Sequence, residues 1–169
     1  INDFDNKFIE DLLILKKKYN FLIWEDRKFC DIGFITNQQV QHGVHKISKW
    51  ADIITCHSVC GIDSIPKIDN MIVFLVIELS VSGHLCDYNY INKSVEIANK
   101  TPCVLGVVCQ SNPDNLDKNI LRVVPGISLR SNTKDNYNQQ YSSINDKQFS
   151  DLYVVGRAIK NIDCLNKLN

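Results

Sequence analysis

A lysine with one carboxylate two residues before it and another three after it, in Glu25-Asp26-Arg27-Lys28-Phe29-Cys30-Asp31, is a set of residues that can hold and deliver a proton. The carboxylates can fix an ammonium and aim it, and together they press negative charge against a bound anion. The segment in front, Phe21-Leu22-Ile23-Trp24, is apolar, so the charges fall at the end of a buried strand. Side chains two apart on a strand share a face, which would turn Asp26 and Lys28 to one mouth and leave Asp31 in the loop beyond. A surface ladder of ion pairs is the competing reading of so charged a segment, and its position at a strand end weighs against that.

Such residues need a scaffold. Six apolar runs read as strands: Phe21 to Glu25, Ile53 to Cys56, Met71 to Leu79, Val104 to Cys109, Ile120 to Val124 and Leu152 to Val155. They are continuous rather than alternating, as expected of strands covered on both faces in a parallel sheet. Amphipathic stripes lie between them: Phe8, Leu12, Leu13, Leu15 and Tyr19 before the first strand, Val40, Val44, Ile47 and Trp50 before the second, and Tyr90, Ile91, Val95 and Ala98 before the fourth. The alternation predicts an α/β fold. Nearly every strand ends in polar residues, among them His57-Ser58, Glu78-Leu79-Ser80, Gln110-Ser111, Pro125-Gly126 and Gly156-Arg157. One face that gathers all strand ends is the hallmark of a (β/α)8 TIM barrel, which commonly holds phosphate after its last strands. Gly156-Arg157, just before an expected helix start at Ala158, suits such a cradle. The barrel would be incomplete, because six strands are visible and such barrels take about 250 residues.

The 169 residues suit a single domain spanning positions 1–169. Lys plus Arg and Asp plus Glu number 19 each, and no basic run points to nucleic acid. The most apolar stretch, Met71 to Leu79, contains Glu78 and is too short for a membrane helix. Seven scattered cysteines fit reduced thiols of a cytoplasmic protein rather than a disulfide framework. Cys56-His57-x-x-Cys60 lacks a fourth metal ligand nearby and reads as packing. His57 reads as a packed histidine, and Trp24 and Trp50 as core. Asn132 to Gln140 is the one long polar stretch and reads as a loop.

Phe21-Leu-Ile-Trp-Glu-Asp-Arg-Lys-Phe-Cys-Asp-Ile-Gly33 resembles the signature of orotidine 5′-phosphate decarboxylase in the form found as the C-terminal domain of eukaryotic UMP synthase. The likeness continues in order through Lys46-Ile-Ser-Lys-Trp-Ala-Asp-Ile53, Glu78-Leu-Ser80-x-x-Gly83, Val124-Pro-Gly126, Gln139-Gln-Tyr141 and Val155-Gly-Arg157. It implies a homodimeric barrel enzyme with shared active sites, which converts orotidine 5′-monophosphate to UMP and CO2 in pyrimidine biosynthesis without metal or organic cofactor. By the same resemblance Lys28 is the proton donor to C6 of the pyrimidine, Asp26 its holder and Asp31 the carboxylate lent to the neighbouring subunit. Ser80 would hydrogen-bond the base, Pro125 lie beside it, and Gln139, Tyr141, Gly156 and Arg157 grip the phosphate.

The resemblance also marks departures. Two strands that open the family's barrel, with an aspartate that contacts the sugar and a lysine that completes its charged network, have no counterpart here and the last helix is cut short, so the chain reads as an N-terminally truncated piece of weak stability and little activity. Phe34-Ile35 stands where the family has Asn-Thr, Asn138 where it has glycine, and Cys30 where it has alanine. A non-catalytic remnant that binds nucleotide or pairs with a subunit is the rival from another class. A different phosphate-binding barrel enzyme is a third reading.

Overall fold

The computed structural model describes residues 4–128 and 140–156. Helices α1 (Asn6–Tyr19), α2 (Gly33–Gln41) and α3 (Tyr88–Lys100) alternate with strands β1 (Trp24–Phe29), β2 (Ile53–His57), β3 (Ile72–Val76), β4 (Val104–Val108), β5 (Leu121–Val124) and β6 (Leu152–Tyr153). They fall into two compact units divided within β3, between Val73 and Phe74. Strand order follows the chain, β1-β2-β3 in the first unit and β3-β4-β5-β6 in the second.

In the first unit, α1 starts where the Asp5 carboxylate accepts the Phe8 N–H at 2.7 Å, and it ends on Lys16, Lys17 and Lys18 with Asn20 in the left-handed conformation. Both ends suit the helix dipole and its unpaired groups. The stripe read from the sequence is not covered, for α1 buries no residue and Leu13, Leu15 and Tyr19 are exposed. What ties α1 down is Lys16, whose ammonium lies 2.5 Å from Asp52. The same Asp52 carboxylate accepts the Ile23 N–H at 2.8 Å, and the Ile23 carbonyl accepts the N–H groups of Asp52 and Ile53. These bonds begin the parallel pairing of β1 with β2, in which Trp24 faces Ile53. The first strand therefore lies later than Phe21–Glu25, with Phe21 and Leu22 exposed and Asp26 to Lys28 inside the strand.

The helix expected over Val40 to Trp50 is broken. α2 stops at Gln41, Gly43 takes φ +69 and Lys46 φ +42, and Ile47–Lys49 form a separate 3-10 turn. Val44 is consequently 86% exposed while Val40, Ile47 and Trp50 are buried. Gly33, the first residue of α2, sits where a methyl group would lie 2.5 Å from the Asp63 carbonyl oxygen. Gly33→Ala is expected to cost about 1–3 kcal/mol by overpacking, even after the better helix propensity of alanine. A urea titration that finds the variant as stable as the parent would contradict this contact.

In the second unit, Phe74, Leu75 and Val76 of β3 are buried without a break as expected, whereas β4 buries Val104, Val107 and Val108 but leaves Leu105 exposed. β4 pairs with β5 and β5 with β6, all parallel. α3 begins at the Asp87 cap, which accepts the Tyr90 N–H at 2.8 Å, and buries Ser94, Val95 and Ala98. Gly106 has room for no side chain, because a methyl there would meet the Phe74 ring at 2.7 Å.

Candidate active site

The charged segment of β1 forms a chain of contacts within the first unit. The Lys28 ammonium lies 2.5 Å from the Asp26 carboxylate. The other oxygen of Asp26 accepts the Thr55 hydroxyl at 2.8 Å, and Thr55 Oγ accepts the Trp24 indole N–H at 2.6 Å. Asp26 is thus fixed from β2 while it holds Lys28, so the ammonium is aimed by a carboxylate that is itself anchored. Arg27 turns to Glu25, 2.9 Å away.

Asp26 and Lys28 meet, but not through the simple pleat that their spacing suggests. The pairing with β2 slips between Glu25 and Phe29, and Lys28 takes φ +58, a conformation that costs a lysine roughly 1 kcal/mol. Asp31 stands apart, exposed. Its carboxylate accepts the Ile32 N–H at 2.7 Å, and among the described residues it makes no ion pair. Beside Lys28 a cavity of about 400 Å³ opens, lined among others by Arg27, Cys30, Gln39, His42 and His45.

His57, at the end of β2, is half-buried, and burial together with the Lys28 ammonium holds it below the ordinary imidazole range. The unfolded chain therefore binds a proton at His57 more readily than the folded one, so stability falls as pH drops from about 6.5 through the lowered value. Urea midpoints measured between pH 5 and 8 are expected to show this slope, and His57→Gln is expected to flatten it; an equal slope in the variant would contradict the assignment.

In the second unit the sequence-predicted residues also converge. The Gln140 N–H donates to the Ser80 carbonyl at 2.8 Å, and the Ser142 N–H donates to the Gly126 carbonyl at 2.9 Å. Ile127 and Ser142 form a parallel bridge. Tyr141 is thereby held between the strand end at Ser80 and the turn at Pro125-Gly126, where Gly126 takes φ +76. Gly156 is exposed and has open space around its α-carbon. Gln139, Arg157, the expected helix start at Ala158 and all but the last residue of the polar stretch Asn132 to Gln140 lie outside the described residues.

Two residues act as anchors to which the sequence assigned no role. Glu78 accepts the N–H groups of Gln110 and Ser111 at 2.8 and 2.7 Å and the Ser111 hydroxyl at 2.8 Å, while the Gln110 amide donates to the Pro125 carbonyl at 3.0 Å. Thr55 is the other, fully buried on β2 beneath Asp26. A carboxylate ending the most apolar strand was the available signal for Glu78; Thr55 had none, because its partner lies on another strand. Cys109, beside Glu78, has its thiol pushed up to about 12, chiefly by burial, and is inert at neutral pH. Among the described residues no group of three or more His, Cys, Asp or Glu is arranged to hold a metal ion, and no helix is long and apolar enough to cross a membrane.

The family model described as orotidine 5′-phosphate decarboxylase / HUMPS matches residues 1–162. The chain is 34% identical to uridine 5′-monophosphate synthase of Bos taurus over 94% of its length and 35% of the relative's. It is 34% identical to orotidine 5′-phosphate decarboxylase of Schizosaccharomyces pombe over 94% of its length and 64% of the relative's. It thus spans less than two thirds of either. Among solved structures, orotidine 5′-phosphate decarboxylase from Pyrococcus horikoshii superposes with a TM-score of 0.66 at 23% identity, over 90% of this chain and 73% of that one. The enzyme from Methanocaldococcus jannaschii, complexed with the inhibitor BMP, gives 0.62 at 26% identity, over 89% and 72%. The fold is that of these barrels, an incomplete (β/α)8 arrangement with six strands among the described residues.

Proposed function

Because the chain belongs to the orotidine 5′-phosphate decarboxylase / HUMPS family, we propose that it serves the decarboxylation of orotidine 5′-monophosphate to UMP and CO2 in pyrimidine biosynthesis. The observation that carries the proposal is Lys28 held 2.5 Å from Asp26, with Asp26 braced by Thr55. Loss of CO2 leaves an electron pair on C6 of the pyrimidine, a carbon that delocalises it poorly. An ammonium fixed at that carbon stabilises the developing charge and then supplies the proton. Asp26 orients Lys28, and its negative charge beside the departing carboxylate favours the neutral product.

The remaining roles extend the same proposal. Ser80 and Pro125 address the base, and Gln139, Tyr141, Gly156 and Arg157 hold the phosphate, whose binding energy helps to close the site. Residues 1–169 supply part of one barrel domain that works in the cytoplasm without metal or organic cofactor. Asp31 reaches the site of a second subunit in a homodimer. In support, Asp31 is flanked by Ile32 and Phe34, exposed at 60% and 68%, a pair of apolar side chains suited to a partner surface.

The test is UMP formation from orotidine 5′-monophosphate by the chain completed with the strands that open the family's barrel, with binding of BMP, the inhibitor held by the Methanocaldococcus protein, measured alongside. Turnover supports the proposal. Binding of BMP without turnover would establish the non-catalytic remnant instead, and a chain that does neither would overturn both.

A further inference from the structure

Cys30 and Cys60 are the exposed thiols among the described cysteines, and they stand where two neighbouring strands end. β1 and β2 run parallel with Phe29 opposite Cys56, so the loops that follow leave the sheet on the same side. Farther along, these loops touch, at Gly33 against the Asp63 carbonyl. Between those two contacts lie Cys30 and Cys60, near enough for Cys60 to help raise the Cys30 thiol. Cys60 is held rather than free to swing, because its carbonyl accepts the Ser64 hydroxyl at 2.8 Å and the Gly61 N–H bonds the Ser58 carbonyl at 2.9 Å. Cys30 lines the cavity beside Lys28, which lets a small oxidant approach.

We propose that Cys30 and Cys60 form a dithiol site that a low-molecular-weight disulfide closes into an intrachain disulfide, tying the loop after Lys28 to the loop after β2. One cysteine, as thiolate, attacks a sulfur of the oxidant and releases one small thiol, leaving a mixed disulfide on the protein. The other cysteine attacks that protein sulfur, forms the Cys30–Cys60 bond and releases the second small thiol. Two protein thiols are oxidised, one small disulfide is reduced to two thiols, and both protons end on the departing thiols. Burial, followed by Cys60 and Asp31 nearby, raises the Cys30 thiol above its ordinary range, so closure is slow at neutral pH and answers sustained oxidation.

Closure would tie the loop that begins at Lys28 to the loop after β2, which it already meets at Gly33 and Asp63. The consequence for turnover rests on the decarboxylase reading; the bond itself does not. A displacement of about 1 Å at a reacting group costs about 10²-fold in rate, so the closed chain is expected to turn over about that much more slowly until reduced.

The experiment treats the intact chain with oxidised glutathione and reads its mass and peptide map without reduction. The expected result is a mass lower by about 2 Da, the two hydrogens lost, a cross-linked pair of peptides bearing Cys30 and Cys60, and reversal by dithiothreitol. Cys30→Ser is expected to carry glutathione on Cys60 and to keep its rate under the oxidant. A parent chain that keeps both thiols, carries glutathione on each, or joins Cys30 to another cysteine overturns the site. A closed chain with an undiminished rate overturns the control of turnover and leaves the bond standing.

Discussion

On the proposed decarboxylase reading, Lys28→Ala is expected to lower UMP formation by about 10⁴-fold or more. Two contributions disappear together in this variant: the fixed positive charge facing C6, whose loss in comparable sites costs about 10²–10³, and the proton donor, worth about 10²–10⁴. The effects overlap, because both act on the same electron pair, so the lower end of their product is the expectation. Folding is not the cause of the loss. Lys28 and Asp26 keep 38% and 49% of their side-chain surface exposed, and a pair so hydrated contributes less than about 1 kcal/mol. The variant should therefore unfold near the parent's urea midpoint, which separates lost chemistry from lost structure. Lys28→Arg is not expected to rescue, since its planar fork offers no compact donor at the same point and gives up no proton. A Lys28→Ala protein that keeps its rate while folded would remove the lysine from the reaction.

Phe74→Ala is the most damaging change expected in the fold. Phe74 is 3% exposed, and its ring fills the space that a side chain at Gly106 would take. Truncation removes the ring's burial and leaves a void that the backbone at Gly106 cannot fill, for a cost of about 3–5 kcal/mol. Against a typical domain stability of about 5–15 kcal/mol, that is enough to leave part of the chain unfolded near 37 °C. Gly106→Ala alone also destabilises, because its methyl would overlap the ring. Combined with Phe74→Leu, the same methyl finds room, so the double variant should be more stable than the sum of the single ones predicts. Strict additivity in urea titrations would show that the two residues do not share this space.

The strands were legible because burial on both faces writes itself as unbroken Val, Ile and Leu. β2, β4 and β5 fall within a residue of where those runs place them, and β3 stops three residues short of its run, at Val76. β1 was misplaced for the opposite reason. Its charged residues look like a strand's end, yet backbone pairing around Ile23 and Asp52 starts the strand late and carries it through them. The break after α2 was signalled by Gly43 but overridden by the apolar spacing of Val40, Val44 and Ile47. The candidate residues Asp26 and Lys28 could be named from spacing and motif. Their supports, Thr55 for Asp26 and Gln110 with Glu78 beneath Pro125, could not, because hydrogen bonds between strands leave no periodic trace along the chain. The same holds for the neighbouring loops that carry Cys30 and Cys60, thirty positions apart in the sequence.

The left-handed backbone of Lys28 bears on how the residue came to be kept. Glycine or asparagine takes that conformation more readily, so selection for folding alone would let the lysine drift away. A side chain that persists where the main chain disfavours it is held by what its far end does. On the proposed reading the ammonium, and not the strand that carries it, is the reason for a lysine here, so Lys28→Asn is expected to ease the backbone and raise the urea midpoint while turnover is lost.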